Sequence, residues 1–262
     1  MKLHIIIPII NGVNITKDAV ESIKTKHTYS IHIIDQDSDQ FTQDWLASKQ
    51  NATDFWVHRF SPKVSLSEAW NKGIQEAMKD PECEYFFVIN NDVVFHKDTI
   101  DNLIEAMEIT KFAMVTCNNV APNMSLDDFK KLKVEKDNSL KNEIKDWREE
   151  GPDFSGFLIT RKTIEGVGWF DENFTPCYFE DNDYHTRILK AGLHAKRTSQ
   201  APFYHLGSFT AKAVGVNSGF AQGRYFEKWG VSPEKVMDGQ GFTNPYNEDK
   251  DYKFWRGVEK YE

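Results

Sequence analysis

The sequence predicts an α/β fold, a mostly parallel sheet flanked by helices, and three observations carry that prediction. Short apolar runs alternate with longer amphipathic ones through the first half of the chain, and each amphipathic run starts at a polar residue able to cap it. The opening run, Leu3–Ile10, is apolar nearly throughout, as a strand buried on both faces requires. The 262 residues are 40% hydrophobic and 27% charged, enough for one sizeable core and too polar for a membrane span or a fibre.

Taken in order, strands are expected at Leu3–Ile10, Ser30–Asp35, Asp54–Phe60, Tyr85–Asn90 and Phe112–Cys117. Helices fall between them, around Thr16–Lys26, Phe41–Ser48, Ser65–Lys79 and Asp98–Ile109, and Ser65 with Glu68 has the spacing of a capping box. Right-handed crossovers put the carboxyl ends of such strands along one edge, where open α/β sheets bind ligands. Across 123–153 the character changes: Lys130–Glu150 is dense in Lys, Asp and Glu and reads as a charged insertion with a solvated face. Beyond it Phe154–Thr160 reads as a strand, Asn182–Ala191 as a helix, Ala201–His205 as a short strand and Ser218–Trp229 as a helix, before turn-rich sequence with Gly239, Gly241 and Pro245. The division this suggests is one domain over 1–208, with 209–262 as a C-terminal extension packed on it.

Composition removes several functions. Lys and Arg (32) against Asp and Glu (40) give a net charge of -8, so a whole-molecule basic surface for nucleic acid or anionic lipid is excluded. Cys83, Cys117 and Cys177 are widely separated and form no Cys-x-x-Cys pair, which argues against a disulfide framework or a thiolate metal cage and fits a reducing, cytoplasmic setting. Leu3–Ile10 is broken by His4 and Pro8 and lacks a small-residue cleavage site, so it reads as a strand and not a signal peptide. No stretch approaches the roughly 20 apolar residues a transmembrane helix needs. Sequons at Asn14, Asn51, Asn123 and Asn173 are then coincidental. Ile9-Ile10-Asn11-Gly12 offers a single Gly where a dinucleotide dehydrogenase or a nucleotidyltransferase wants a Gly-rich phosphate loop.

Three elements can carry chemistry. The strand ending at Ile89 runs into Asn90-Asn91-Asp92, placing a carboxylate where an apolar strand leaves the core; it is either a hard oxygen ligand for Mg2+ or Mn2+ on a diphosphate, or part of a turn. Glu180-Asp181-Asn182-Asp183 puts three carboxylates in four residues at a helix start. The helix dipole accounts for some of that, and mutual repulsion raises carboxyl pKa values toward those of a general base. His205 ends a short strand, and gains meaning only beside the other two.

In this order, these elements resemble the family 2 glycosyltransferases, inverting nucleotide-sugar enzymes of the GT-A fold, from Ile5 to about Gly207. The opening HIIIPIIN, then IHIIDQDSD, SLSEAWNKGIQEA, FVINNDVVF and the long stretch from Phe154 through EDND to YHLGS follow the family's series of motifs. The resemblance implies a GT-A, Rossmann-like sheet with a C-terminal extension on the acceptor side. It implies that Asn11, Asp35, Asn71 and Asn91 bind the donor, that Asp92 and His205 hold Mn2+ or Mg2+, and that Asp181 is the catalytic base. Glu180 and Asp183 are expected to position the acceptor or the helix start; Trp229, with Tyr225 and Phe226, is either a stacking platform on the acceptor side or, at helical spacing, part of the core. Gln36 stands where many relatives carry a second acid or Asn in the nucleoside turn, which leaves uridine or thymidine open.

The activity implied is inverting, metal-assisted transfer from a nucleoside-diphosphate sugar, a UDP-sugar first, to a hydroxyl acceptor. From Arg187 to Gly230 seven basic residues face one acidic one, a local +6. Those cations either meet the donor diphosphate and lie on solvated faces, or mark a phosphate-bearing acceptor: a glycan, a lipid-linked glycan or a hydroxymethylated DNA base. From another class, a non-catalytic carbohydrate-binding or scaffold protein would keep the fold without the reaction.

Overall fold

The computed structural model describes residues 2–50, 52–134, 152–207 and 218–237. An eight-stranded sheet runs in the order β3-β2-β1-β4-β7-β6-β8-β5. Its strands are β1 (Lys2–Ile9), β2 (Thr28–Gln36), β3 (Phe55–Phe60), β4 (Cys83–Ile89), β5 (Val93–Phe95), β6 (Met114–Asn119), β7 (Gly156–Thr160) and β8 (Ala195–His205). The helices named below are α1 (Val13–Ser22), α2 (Gln40–Lys49), α3 (Leu66–Met78), α4 (Thr99–Thr110), α5 (Leu126–Lys130), α6 (Arg161–Val167), α7 (Glu180–Lys190), α8 (Gly219–Trp229) and α9 (Pro233–Met237).

Pairing is parallel through β3-β2-β1-β4 and again between β6 and β8, as expected for a mostly parallel sheet. β7 runs antiparallel to both β4 and β6, and β5 antiparallel to β8. Because β7 is reversed between them, β4 and β6 point the same way, and the carboxyl ends of β1, β2, β4, β6 and β8 share one edge.

The register explains the apolar runs. Leu3, Ile5, Ile7 and Ile9 of β1 face one way and pack with Ala19, Ile100, Leu103 and Met107 of α1 and α4. Ile6 faces the other way, against Ala69, Trp70 and Ile74 of α3 and, further along, Tyr184 and Ile188 of α7. Both faces are covered, so the strand shows no alternation in sequence.

Several elements differ from expectation. Helix α1 starts three residues early because Gly12, left-handed at φ 71, ends the β1 turn and its carbonyl accepts from Thr16 N. The Ser65 cap is present, accepting from Glu68 N at 3.1 Å. Strand β8 is eleven residues and not five, since parallel pairing with β6 begins at Ala195. Helix α7 starts at Glu180, so the acidic cluster occupies its first turn instead of preceding it. Within the segment read as a charged insertion, Ser125 caps α5 and Phe129 is buried. Residues 135–151 of that segment and the turn-rich sequence with Gly239, Gly241 and Pro245 lie outside the described residues. Among the described residues no helix is long and apolar enough to cross a membrane.

Candidate active site

At the carboxyl edge of the parallel strands lies a cleft of about 1030 Å3. Its floor comes from strand ends: Ile9 and Ile10 after β1, Gln36 at the end of β2, Asn90, Asn91 and Asp92 after β4, and His205 at the end of β8. Its walls come from Lys63–Leu66 ahead of α3, Asp153–Ser155 ahead of β7, and Thr175–Tyr178 with Glu180 and Asp181 at the start of α7.

Strand pairing brings Asp92 and His205 together across 113 positions of sequence. Val93 of β5 is directly opposite His205 of β8, and Leu206 N donates to the Asp92 carbonyl at 2.9 Å. The side chains then meet, His205 Nε2 lying 3.1 Å from Asp92 Oδ1. Burial would push the His205 imidazole down, but the hydrogen bond and charge of Asp92, with Asp153 adding, hold it above its ordinary value. Asn91, also on the cleft, donates from Nδ2 to Thr16 Oγ1 at 3.1 Å.

Across the cleft Asp181 sits in the first turn of α7, its Oδ1 accepting from Asn182 N at 2.8 Å. Burial raises its pKa, backbone N–H groups oppose that, and Asp153 raises it further. Glu180 is deeper; burial first and Asp181 next push its carboxyl well up, and its Oε2 has no hydrogen-bond partner among the described residues. Asp153 was not picked out from sequence. It stands in the wall at the end of the charged segment, its N–H bound to Thr116 Oγ1, and it biases both Asp181 and His205. Nothing in its local sequence sets it apart from the many acids before it.

Other expected site residues do different work. Asn71, placed on the donor by sequence, is fully buried and clamps the 170–172 turn: its Oδ1 accepts from Phe170 N, and its Nδ2 donates to Phe170 O and Glu172 Oε1. Asp183 does not line the cleft. It points into the core, where Oδ1 accepts from Lys228 Nζ at 2.7 Å and Trp229 Nε1 at 2.9 Å, and Oδ2 from Arg187 Nε at 3.0 Å. Trp229 is accordingly buried and not a stacking platform. Burial pushes the Asp183 carboxyl up, but Lys228 and Arg187 outweigh it and hold it below the usual range.

Asn11 and Asp35 shape the turns beside the cleft. Asn11, left-handed at φ 56, takes Asp39 N on its Oδ1 and gives its own N–H to Ser38 Oγ. Asp35 is buried against the Arg59 guanidinium and Ser38 N. From this strand it is Gln36 that lines the cleft, its buried Oε1 without a partner among the described residues.

Part of the local +6 is internal. Arg187 and Lys228 are buried and paired with Asp183, and Arg224 lies near Glu227. Arg197 does line the cleft, while Lys212 lies outside the described residues.

The sheet order, with its ligand-sized cleft at the carboxyl ends of the parallel strands, is that of the GT-A fold. The family model described as Glycosyl transferase family 2 matches residues 4–168, and the chain belongs to that family. A search of curated proteins finds no match. Among solved structures, the fold matches mannosyltransferase PcManGT from Pyrobaculum calidifontis, solved with GDP-Man and Mn2+. The TM-score is 0.63 at 12% identity, over 99% of this chain and 69% of that one. It also matches S. aureus TarS 1-349 in complex with UDP-GlcNAc, with a TM-score of 0.62 at 11% identity, over 100% of this chain and 72% of that one.

Proposed function

We propose that the protein transfers a sugar from a nucleoside-diphosphate sugar to a hydroxyl acceptor with inversion, with Asp181 as the base. The observation that carries this reading is the placement of the Asp92–His205 pair and Asp181 on one cleft, drawn from three distant parts of the chain. The solved relatives were captured with GDP-Man and with UDP-GlcNAc, and both serve as first candidate donors.

In the reaction, the Asp181 carboxylate accepts the acceptor hydroxyl proton as that oxygen bonds to the anomeric carbon. The bond from that carbon to the diphosphate breaks on the opposite face, and its electron pair leaves with the nucleoside diphosphate. A raised carboxyl pKa suits this role near neutrality. Asp92 offers a carboxylate oxygen that fits Mn2+ or Mg2+, and His205, 3.1 Å from it, an imidazole that suits Mn2+ better than the harder Mg2+. Among the described residues no group of three or more His, Cys, Asp or Glu forms a complete cage. The pair would therefore hold an ion together with donor phosphates, and a bound cation would offset charge growing on the leaving diphosphate. Gln36 faces the nucleoside side of the cleft, and the turn held by Asn11, Asp35 and Arg59 presents it.

Thermal denaturation with UDP or GDP, with and without Mn2+, tests this reading. A nucleoside diphosphate should raise the melting temperature mainly when the ion is present, and Asp92→Ala should abolish the ion-dependent part. A chain indifferent to both ligands would be a scaffold, and an unchanged response in Asp92→Ala would remove Asp92 from the metal site.

A further inference from the structure

We propose that Lys228, on α8, is a positioning residue for sugar transfer: its ammonium fastens both ends of the segment 171–183, which walls the cleft and carries Asp181. The inference rests on reading Asp181 as the base.

A single Nζ reaches Asp171 Oδ2 at 2.8 Å and Asp183 Oδ1 at 2.7 Å. All three side chains are at most 2% exposed. Between the two carboxylates lie Thr175, Pro176, Cys177, Tyr178, Glu180 and Asp181, all on the cleft. Each anchor is itself built in. Asp171 Oδ1 accepts from the backbone N and Nδ2 of Asn173, shaping the turn that enters the segment. Asp183 takes Trp229 Nε1 and Arg187 Nε as well, in the first turn of the helix that leaves it. Beneath the segment, Phe174 is buried against Ala221, Tyr225 and Trp229 of α8, and the Tyr225 and Thr186 hydroxyls share a hydrogen bond of 2.6 Å.

The backbone in between needs such fastening. Tyr178 (φ 80) and Phe179 (φ 67) are consecutive non-glycine residues in the left-handed region, a conformation that persists only where its surroundings over-determine it. The charges of Asp171, Asp183, Lys228 and Arg187 balance. Such a network adds little net stability over well-packed apolar side chains, but it is directional and accepts one geometry. Here the geometry it selects is the angle of the first turn of α7, and so the position of Asp181 across from Asp92 and His205. A base must lie within hydrogen-bond reach of the proton it takes, and small misplacements are costly in rate. On this account α8 touches neither donor nor acceptor through Lys228, yet transfer depends on it.

The test compares wild type with Lys228→Met/Asp171→Asn, which removes one cation and one carboxylate and keeps the network balanced. Trp229→Phe is the gentler second variant, deleting one hydrogen bond to Asp183 and keeping a ring. Mn2+-dependent release of nucleoside diphosphate from UDP-GlcNAc or GDP-Man is followed for kcat and donor KM, using whichever donor wild type turns over. The double variant should lose about tenfold or more in kcat with donor KM little changed, and Trp229→Phe should lose less in the same sense. A purely structural role would lower the melting temperature and leave the kcat of the folded protein alone. If the double variant does not fold, Trp229→Phe decides. Wild-type kcat in the folded variants, with Asp181→Asn inactive, overturns the positioning role alone. Full turnover by Asp181→Asn would instead fell the base assignment on which it stands.

Discussion

Asp181 and Asp183 stand two residues apart on α7, and that spacing gives them opposite duties. At about 100° per residue they project some 200° apart, so when one faces the cleft the other faces the core. Asp181 lines the cleft, and Asp183 becomes the hub for Lys228, Arg187 and Trp229. Gly73 makes the same point about position. A Cβ there would lie 2.3 Å from Ile6 Cγ2 and 3.2 Å from Ile34 Cγ1. Alanine is the better helix former by about 1 kcal/mol, yet Gly73→Ala should destabilise by about 1–3 kcal/mol because α3 cannot then seat on β1 and β2. A urea midpoint that rises instead would show that the helix can shift at no cost. The acid at the strand exit, the acidic helix start and the late His were set apart in sequence, and the fold brings Asp92, Asp181 and His205 to one cleft. Which acid of a cluster faces the cleft, and whether Asn71 meets a ligand or a backbone turn, depends on tertiary contacts about a hundred residues away.

Among elements, β1, β2 and β3 carry a ladder that the motifs did not announce. His4 Nδ1 and His32 Nε2 are 2.8 Å apart, His32 Nδ1 and His58 Nε2 3.1 Å, and His4 Nε2 meets Asp80 Oδ2 at 3.2 Å. Burial, then the neighbouring His4, His58 and Lys2, push His32 down to about 3, and burial lowers His4 and His58. The His32 ring stays neutral in the fold, whereas in the unfolded chain it takes up a proton below about pH 6.5. His32 therefore lowers stability as pH drops from 7 to 5, by about 2 kcal/mol, while the raised His205 and Glu180 act in the opposite sense. Asp80, held down to about 2 chiefly by Lys2, contributes fully across that window and loses its contribution only at lower pH. Urea midpoints at pH 7 and pH 5 should show wild type losing more stability over that interval than His32→Gln does. Equal changes in the two proteins would mean that the ring protonates in the fold without cost. Seven of the eight strands were readable from apolar runs, and the three-residue β5 was not. The reversed direction of β7 was not, because a fully buried strand looks the same in sequence whichever way it runs.

Over the whole molecule, charge is used internally more than displayed. Arg187 and Lys228, counted from sequence toward an electropositive acceptor side, neutralise Asp183 and Asp171 inside the protein. The phosphate-bearing acceptor loses that part of its support, and among the described residues the Lys and Arg side chains that line the cleft are Lys63 and Arg197. The order of motifs foretold the GT-A sheet. The joining of α8 to α7 was hidden, since Asp183 reads in sequence as an acceptor or helix-start residue and Lys228 as one of a run of cations until their burial against each other is known. The central claim is that a base on α7 and a carboxylate-imidazole pair on the sheet edge act on one nucleotide-sugar. Its most direct test is Mn2+-dependent release of nucleoside diphosphate from UDP-GlcNAc and GDP-Man by wild type and Asp181→Asn, with donor affinity measured alongside. Wild type should turn over with the ion present, and the variant should bind donor comparably while losing about 100-fold or more in rate. A variant that binds and turns over as wild type does would contradict the account.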